Sequence, residues 1–485
     1  MSRKKLDIFL IIFIFLISFL VRLYKINLPL ADHHSWRQAD TAAVARNFIK
    51  EKWDFFLPRI DNMTYLHSPD LLNKNRLFLA EPPVYQTIVA VFYRFFGIKI
   101  ELARLVSILF SLGSIFFLFL IVKKYFGFRV GALSALIFGI LPYNIYYSRT
   151  VLPESMIIFL ILGLVYFFDQ YLWERKKGWW LMTLIFGAIA LTQKSFPIFM
   201  SPVLAYMAFR KYSFGFLKKP SLWILAFLMI TPLALWRLWI NNFPEGIPPY
   251  DWLFNQGNIR FTGAFFWWIF AERLAKLILG YWGLIPLGFG LALLPSKKEG
   301  WLFHLWLLMV FIYISVFAAG NVTHDYYQIP LVPILAIFMA RGTSFLLEVP
   351  GRLFSKTICH LLLVICYLFM LAFSWYEVRN FYNIQGGVDL AGQAVDQLTP
   401  KEALVLTGDS NDATLLYNTN RYGWTGGYAS YFPNNPETIQ KIIKMGGDFY
   451  VTTKFVDDSS FGRYMLENFS LVKRTDQFII FSLRK

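Results

Sequence analysis

This sequence is poor in cysteine and in charge, and both shortages exclude classes of protein. Its two cysteines, Cys359 and Cys366, lie in one apolar run, so there is neither a disulfide framework nor a cysteine-based metal motif. Small apolar packing residues are the simplest interpretation of both. Charged residues make up 16% of the chain, hydrophobic residues 57% and aromatic residues 19%, and the mean hydropathy is +0.48. These values exclude an ordinary soluble protein and indicate a chain that crosses a membrane many times.

Charge is almost absent from a series of apolar runs of about 17–20 residues, the length that crosses ~30 Å of hydrocarbon. We place the predicted spans near residues 7–24, 103–122, 130–147, 155–172, 179–193, 196–209, 221–240, 276–294, 301–319, 329–347 and 357–376. The fifth and sixth runs are short, so a tight hairpin and one broken span are both open. No small-residue cleavage site follows the first run, which we therefore do not read as a signal peptide. The predicted fold class is a polytopic α-helical membrane protein with about 11 transmembrane helices.

The formal net charge of +17 is concentrated in alternate short loops. The cationic loops lie near residues 2–5, 123–129, 175–177, 210–219, 297–298 and 352–356. The intervening loops at 148–154 and 320–328 hold few cations. This alternation follows the positive-inside rule, so we expect a cytoplasmic N-terminus and, after an odd number of spans, an external tail. The positive charge of these loops therefore indicates contact with an anionic membrane surface, and we predict no nucleic-acid partner from it.

Three segments are too long to be simple turns, and we expect all of them on the outer side. The first outer loop covers about residues 25–82. The apolar run at 84–96 is only about 13 residues long, so it is read as a helix lying in the membrane interface. Pro82 and Pro83 suit the start of that helix, because proline fits the first helical turn. The second long segment covers about residues 241–270.

The third long segment, residues 377–485, is long enough for a small soluble domain that follows a transmembrane module at 1–376. Its pattern predicts strands at 402–407, 449–453 and 478–482 and helices at 436–445 and 461–469. This alternation of helix and strand predicts a soluble α/β domain. It contains neither a glycine-rich phosphate motif nor a catalytic triad signature. Asp409, Asp412, Asp457 and Asp458 are most simply solvated turn residues.

Ionisable residues gather at the predicted outer ends of the spans and are rare at mid-span. A solute or ion carrier would bury carboxylates, lysines or histidines at mid-span to bind its cargo. The outer residues are Asp32, His33, His34, Arg37, Asp40, Arg59, Asp61, Glu81, Arg149, Glu154, Lys194, His324 and Asp325. Their distribution favours an interfacial enzyme over two alternatives, a transporter or flippase of lipid-linked glycans and a non-catalytic subunit of a glycan assembly complex.

Six short motifs, taken in order and with this topology, carry a resemblance to a known family. They are residues 36–48 (WRQADTAAVARNF), 81–85 (EPPVY), 101–105 (ELARL), 148–154 (SRTVLPE), 191–194 (LTQK) and 326–330 (YYQIP). With them the chain resembles polyprenyl-phosphate-sugar-dependent glycosyltransferases of the GT-C superfamily. It is most similar to the family 39-like bacterial relatives of protein O-mannosyltransferases and of the lipid A aminoarabinose transferase.

This resemblance implies a donor sugar linked through phosphate to a polyprenol and an acceptor hydroxyl that attacks the anomeric carbon with inversion. A carboxylate base and cations around the departing phosphate are what such a displacement needs. By position Asp40 matches the first-loop acid of the family, and Asp32 is the alternative; each is otherwise a helix cap or a loop residue. Glu154 stands at the place of the second acid. We expect neighbouring positive charge, including that of Arg37, to hold Asp40 ionised.

The resemblance also implies contacts to the donor and the acceptor. The candidate phosphate contacts are Arg149, Lys194, Arg59 and Arg260, and the candidate substrate contacts are Glu81, His33, His34, Tyr85, His324 and Tyr327. One departure is Glu81, because the aminoarabinose transferases have a lysine before the proline pair. Either another cation takes over that role, or Glu81 binds a metal or a sugar hydroxyl. A divalent metal held by both loop histidines, Glu81 and His324 stays open, although their spacing matches no recognised zinc pattern.

The implied partners follow from the same resemblance. The donor lipid is undecaprenyl or dolichyl phosphate, and the acceptor is a glycolipid, a polysaccharide or a protein. We expect an integral protein of a bacterial inner (plasma) membrane, with the C-terminal domain on the periplasmic or extracellular side.

Overall fold

The structure is a computed structural model that describes residues 3–66, 71–348, 355–428 and 430–484. The chain forms two compact units. One, the helical unit, is made of Met1–Ile26, Leu105–Arg237 and Tyr250–Asn380. The other, the mixed unit, is made of Asn27–Arg104, Leu238–Pro249 and Phe381–Lys485. The first outer loop and the C-terminal domain, which are far apart in sequence, therefore belong to one unit.

The helical unit consists of apolar helices. The α-helices that lie wholly or largely in it are Arg3–Arg22, Ile100–Phe126, Phe128–Ile140, Pro142–Tyr147, Glu154–Glu174, Lys177–Gln193, Ser201–Tyr212, Pro220–Ile240, Trp252–Asn255, Gly263–Phe266, Leu284–Ala292, Leu302–Val316, Ala318–Thr323, Leu331–Glu348 and Lys356–Val378. A π-helix, Trp267–Ile278, and the 3₁₀ helices Phe196–Met200, Ser213–Lys218, Gln256–Phe261 and Asp325–Gln328 complete its described part, and the 3₁₀ turn Arg379–Tyr382 follows the last helix.

Among the described residues, five helices are long and apolar enough to cross a membrane. They are Ile100–Phe126, Glu154–Glu174, Pro220–Ile240, Leu331–Glu348 and Lys356–Tyr382. These helices confirm an α-helical integral membrane protein, while the number of spans stays a prediction. Several predicted spans are divided in the structure, and two of them have a marked break. The run at 130–147 breaks before Pro142, which has no N–H for a continuing helix, and the run at 276–294 breaks between Ile278 and Leu284.

The second break has a packing reason. Gly280 adopts a φ of +47°, a left-handed conformation that suits glycine, and a Cβ there would lie 2.2 Å from the Met370 carbonyl oxygen. The chain between Trp267–Ile278 and Leu284–Ala292 therefore turns against the last long helix instead of continuing straight.

The mixed unit contains the predicted C-terminal α/β domain. Its strands are β1 (Leu404–Thr407), β2 (Tyr422–Thr425), β3 (Phe449–Thr452), β4 (Ser470–Arg474) and β5 (Ile479–Ser482), and its α-helices are Ser35–Lys50, Val84–Phe96, Val388–Leu398, Thr414–Asn418, Pro436–Lys444 and Ser460–Asn468, with a 3₁₀ turn at Pro244–Gly246. The sheet order is β2-β1-β3-β5-β4. Strands β1, β2 and β3 are parallel, and β5 is antiparallel to β3 and β4. The predicted strands and helices of this domain are confirmed; β2, β4 and two of its helices were not predicted.

Alternation along the strands builds a core on each face of this sheet. Val405 and Val451 point into one core with helices Val388–Leu398 and Thr414–Asn418, and this core includes Ala31 of the first loop. Leu406 and Tyr450 point into the other core, with helices Pro436–Lys444 and Ser460–Asn468. The first loop is therefore part of the hydrophobic core of the C-terminal domain.

Residues of the first loop also cover the open edge of the sheet at β2. The Met63 N–H donates to the Gly423 carbonyl (2.7 Å), and the Gly423 N–H donates to the Asp61 carbonyl (3.2 Å). The Thr425 N–H donates to Thr64 Oγ1 at 2.9 Å. An exposed strand edge invites pairing with other chains, and these loop residues occupy it.

One prediction for the C-terminal domain is wrong. Asp409 is buried and is not a solvated turn residue. Its carboxylate accepts hydrogen bonds from Thr452 Oγ1 (2.6 Å), the Thr453 N–H (2.7 Å) and Thr453 Oγ1 (2.6 Å). The parallel arrangement of β1 and β3 brings the ends of both strands together, so Asp409 joins them.

Candidate functional sites

Helix Ser35–Lys50 of the mixed unit carries Asp40. The helix is rich in alanine, a strong helix former, and most of its side chains are buried. It begins after His34, which has a left-handed φ of 54°. Asp40 itself is only partly buried. Among the described residues, its carboxylate has no hydrogen-bond or ion-pair partner.

Burial raises the pKa of Asp40 to about 7. The loss of solvation outweighs the positive charge of Arg37, and the negative charges of Asp61 and Asp412 add to the rise. The expectation that neighbouring cations hold Asp40 ionised is therefore wrong. A carboxyl group with this pKa is well matched to accept a proton from a hydroxyl near neutral pH.

Asp32, the alternative base, is enclosed in the mixed unit. Gln38 Nε2 donates to its Oδ1 at 2.9 Å. Arg104 Nη2 lies 3.6 Å from Oδ2, and both side chains are 0% exposed. This buried pair joins the start of the first loop to the first turns of helix Ile100–Phe126. Arg104 was not among our candidate site residues, although a cation so close to an apolar run was a signal for a buried partner.

Glu81 has a protein cation as its partner. It forms an ion pair with Arg37, and the two side chains are 7% and 10% exposed. The Arg37 guanidinium also lies over the ring of Phe78, 4.8 Å from its centroid. The cation that pairs with Glu81 is therefore Arg37 of helix Ser35–Lys50. It lies three residues before Asp40, on the same side of that helix.

The other substrate candidates of the mixed unit make aromatic and backbone contacts. The His33 ring stacks on Phe381 with centroids 3.9 Å apart, and it lies 4.1 Å from the His34 ring. Tyr85 is buried and donates to the Ala103 carbonyl at 3.1 Å. These contacts fix the loop beside Asp32, and they join helix Val84–Phe96 to the start of helix Ile100–Phe126.

Arg59, a candidate phosphate contact, lies on the surface of the mixed unit. Its side chain is 45% exposed and lies 3.3 Å from Glu51. Glu51 also accepts a hydrogen bond from Arg76 at 2.7 Å. The Arg59 side of this cluster is exposed, so the pair of Arg59 with Glu51 contributes little to stability.

In the helical unit, Glu154 and Lys194 form an ion pair. Glu154 begins helix Glu154–Glu174, and Lys194 follows the end of helix Lys177–Gln193. The two helices form an antiparallel hairpin, so the start of one and the end of the next lie side by side. Each charge also has the sign that its helix terminus favours. Lys194 Nζ lies 5.6 Å and 5.4 Å from the ring centroids of Tyr326 and Tyr327.

A cavity extends from this ion pair between the helices. Its polar end is lined by Glu154, Lys194, Tyr326, Tyr327 and neighbours. An adjoining part shares Ile158, Phe196, Tyr313 and Pro330 with that end, and otherwise has lining residues such as Leu162, Trp306, Met309 and Val310. The cavity is therefore polar and charged at one end and apolar along the rest.

A second buried network of the helical unit surrounds Asp325. The Tyr147 hydroxyl donates to its carboxylate, and Arg273 Nη1 lies 3.7 Å from Oδ2. The Tyr147 ring also packs 6.3 Å from Tyr326, which contacts Lys194. His324 lies 5.3 Å from the Tyr326 ring. Tyr147 and Arg273 were not predicted as site residues, because only the fold brings them to the aromatic segment 324–328.

The remaining candidate phosphate contacts, Arg149 and Arg260, are held by backbone carbonyls of the helical unit. Arg149 is fully buried and donates to the Lys25 carbonyl at 2.6 Å. Arg260 Nη2 donates to the Val316 carbonyl at 2.7 Å. Of the four predicted phosphate contacts, Lys194 is the one that lines the cavity described above.

Part of this chain is similar to a known protein family and to a protein of Bacillus subtilis. Residues 80–239 match the family described as dolichyl-phosphate-mannose-protein mannosyltransferase. YycA of Bacillus subtilis (strain 168), which is named as an inferred mannosyltransferase, is 25% identical over 262 residues. The match covers 52% of this chain and 34% of YycA, so the chain spans about a third of that relative's length.

Two solved structures share the fold over nearly the whole chain. ArnT of Cupriavidus metallidurans, bound to undecaprenyl phosphate, has a TM-score of 0.69 at 14% identity and covers 99% of this chain and 98% of its own. The archaeal oligosaccharyltransferase AglB of Archaeoglobus fulgidus, in complex with an inhibitory peptide and a dolichol-phosphate, has a TM-score of 0.58 at 10% identity and covers 93% and 70%. These matches confirm the resemblance to GT-C glycosyltransferases that the sequence motifs carry, and the chain has the GT-C fold.

Proposed function

We propose that this protein is an integral membrane glycosyltransferase that transfers a sugar from a polyprenyl-phosphate-linked donor to an acceptor hydroxyl. The observation that carries the proposal is the cavity of the helical unit. Its charged end contains Lys194 and Glu154, and its continuation is lined by apolar and aromatic side chains. A molecule with an anionic phosphate head and an isoprenoid chain matches both parts.

The relatives support this donor class. ArnT was solved with undecaprenyl phosphate and AglB with a dolichol-phosphate. The segment that matches the mannosyltransferase family, residues 80–239, includes both Glu154 and Lys194. In our proposal Lys194 contacts the donor phosphate and Glu154 orients the lysine. Undecaprenyl and dolichyl carriers share this chemistry, and the host supplies one or the other.

The proposed reaction is a single inverting displacement. The acceptor oxygen forms a bond to the anomeric carbon while the bond from that carbon to the phosphate oxygen breaks. The proton of the hydroxyl passes to the Asp40 carboxylate, and polyprenyl phosphate leaves with both electrons of the broken bond. A cation beside the leaving phosphate stabilises the negative charge that develops there. Asp40 suits the role of base because its carboxylate is partly accessible and its pKa is about 7.

The proposed topology follows the cation asymmetry of the loops. The N-terminus is cytoplasmic, and the first outer loop and the domain after residue 377 are external, in a bacterial plasma membrane. The sugar is a hexose or pentose, and the acceptor is a glycolipid, a polysaccharide or a protein that presents a hydroxyl at that face. The transmembrane module at 1–376 then holds the donor, and the external residues activate the acceptor.

The alternative of a lipid-linked glycan transporter requires ionisable groups that face cargo at mid-span. In the described helices, two buried charges of the helical unit are engaged with protein partners. Asp169 lies 2.7 Å from Lys124, and Arg341 lies 3.9 Å from Glu299. A non-catalytic subunit would need no accessible carboxylate of raised pKa, so Asp40 favours the enzyme over this alternative too.

The test is release of the lipid carrier. Purified protein is incubated with a polyprenyl-phosphate sugar and an extract of membrane acceptors, and free polyprenyl phosphate and sugar-labelled product are measured. We expect release that requires the acceptor extract and that is lost in Asp40→Asn. Sugar movement across proteoliposomes without release would establish a transporter, and no release with any polyprenyl-phosphate sugar would refute the proposed function.

A further inference from the structure

We infer that Glu81 is a positioning residue that acts on Asp40 through Arg37, by holding the Arg37 guanidinium beside Asp40 and compensating part of its positive charge. The inference rests on the proposed function, in which Asp40 is the base. It also gives a role to the residue at which this chain departs from the aminoarabinose transferases, where a lysine precedes the proline pair.

Arg37 is held in place by contacts within the mixed unit. Its guanidinium contacts the Glu81 carboxylate and the face of Phe78, 4.8 Å from the ring centroid. Both ion-pair side chains are nearly buried, so solvent screens the pair weakly. Glu81 lies directly before Pro82 and Pro83, whose restricted backbone leads into helix Val84–Phe96. The carboxylate is thus presented from a stiff segment.

Arg37 and Asp40 lie on the same helix. Residues three apart on a helix are neighbours on its surface, so Arg37 and Asp40 lie side by side on helix Ser35–Lys50. Arg37 is the group that opposes the rise in the pKa of Asp40. The Arg37 charge makes Asp40 a weaker base, and its removal raises the pKa of Asp40 further. The Glu81 carboxylate adds a negative potential that offsets part of the Arg37 charge.

The other charges that face Asp40 come from two segments. Asp61 faces it from the first loop and Asp412 from the turn before helix Thr414–Asn418, and both raise its pKa. Helix Val84–Phe96 also packs against this helix, but its Tyr93 acts on Arg46 rather than on Asp40. The contact through which Glu81 is linked to Asp40 is its ion pair with Arg37.

The experiment measures the pH dependence of kcat/KM for carrier release, whose acidic limb reports the pKa of the base in the free enzyme. Glu81→Gln keeps the shape and a hydrogen-bond acceptor for Arg37 but removes the compensating charge. We expect its acidic limb to move to lower pH, because the loss of a negative charge favours the ionised form of Asp40. Arg37→Gln removes the cation, and we expect its limb to move to higher pH.

Glu51→Gln is the matched control, because Glu51 is another paired carboxylate of the mixed unit whose partners are Arg59 and Arg76. Its limb should stay at the wild-type position. A limb that stays in place in Glu81→Gln, or that moves in the same direction in Glu81→Gln and Arg37→Gln, overturns the inference. A raised KM for the donor without a moved limb would instead make Glu81 a substrate or metal ligand.

These outcomes are separate from failure of the proposed function. If Asp40→Asn turns over like the wild type, or the wild type shows no acidic limb, Asp40 is not the base and the proposed mechanism fails. If Asp40→Asn is inactive and the wild-type limb is present, the Glu81→Gln profile tests the positioning role alone. Circular dichroism and size-exclusion elution of each variant identify a misfolded protein, and Glu81→Asp then serves as the second variant. Glu81→Asp keeps the negative charge on a shorter side chain, so its acidic limb should move less than that of Glu81→Gln.

Discussion

Arg46 and Asp61 form a buried ion pair that fastens helix Ser35–Lys50 to the first outer loop, with side chains 7% and 2% exposed. Asn47 Nδ2 donates to the same carboxylate at 3.0 Å. Arg46 also donates to the Tyr417 carbonyl at 3.0 Å and lies over the Tyr417 ring, 4.0 Å from its centroid. One guanidinium therefore connects the Asp40 helix, the first loop and the C-terminal domain.

Breaking this pair should destabilise the mixed unit. Asp61→Asn leaves the Arg46 charge buried without a counter-ion, which typically costs about 3–5 kcal/mol. Arg59→Gln is the control, because it removes an exposed pair worth about 0–1 kcal/mol. Chemical denaturation and limited proteolysis of the first loop measure the difference. Equal stability of the two variants would show that the Arg46 pair does not hold the loop.

The two candidate bases should respond differently to replacement. Asp40→Asn removes an accessible proton acceptor, so we expect turnover to fall about 100- to 10,000-fold while donor binding is kept. Asp32→Asn breaks the buried pair with Arg104, so we expect lower stability before any specific kinetic effect. Single-turnover release, donor binding and thermal stability are measured on both. A stable Asp32→Asn variant that binds donor but does not turn over would make Asp32 the base.

Activity should rise with pH through about 7, because Asp40 must lose its proton to act as base. Stability should change in the opposite direction. The folded-state pKa of Asp40 is raised from 3.8 to about 7, so the folded protein binds more protons than the unfolded chain between these values. The Asp40 contribution to folding stability is therefore present below the lower value and is lost as pH rises through about 7. Denaturation of wild type and Asp40→Asn from pH 4 to 8 measures it; parallel curves would contradict the raised pKa.

Donor affinity should depend on the Lys194 charge. We expect Lys194→Gln to weaken binding of polyprenyl phosphate by about 10-fold or more, since a charge-assisted contact to phosphate is worth about 1.5–3 kcal/mol. Lys211→Gln removes the same charge from a lysine that lies over Trp173, away from the cavity lining, and should leave affinity unchanged. Titration of a labelled carrier lipid measures both. Equal affinity in the two variants would remove Lys194 from the phosphate site.

Glu154→Gln tests whether Glu154 orients the Lys194 ammonium, separately from the effect of the Lys194 charge itself. It keeps the Lys194 ammonium but removes the carboxylate that holds it. We expect a smaller loss of carrier affinity than in Lys194→Gln, together with a lower turnover number. Tighter carrier binding with faster release would show that Glu154 competes with the donor phosphate and does not orient the lysine.

Local sequence patterns determined much of this fold. The helix at 84–96 was predicted with the bounds that the structure has, Val84–Phe96, because the proline pair marks its start and the apolar run ends at Phe96. Apolar runs predicted a helical membrane protein, and short buried runs predicted the central strands β1, β3 and β5. The exposed edge strand β4, and β2 with Gly423 in its interior, gave weaker patterns, and neither was predicted.

The sequence by itself also determined which residue types are available for chemistry, because the motifs around Asp40, Glu81, Glu154 and Lys194 can be read without coordinates. Only the tertiary structure decided their partners and their protonation. Glu154 and Lys194 meet because two helices form a hairpin, and Glu81 meets Arg37 across the first loop. The pKa of Asp40 depends on burial and on Asp61 and Asp412, which are distant in sequence. Desolvation and through-space charge are properties of the folded arrangement, and a linear pattern does not contain them.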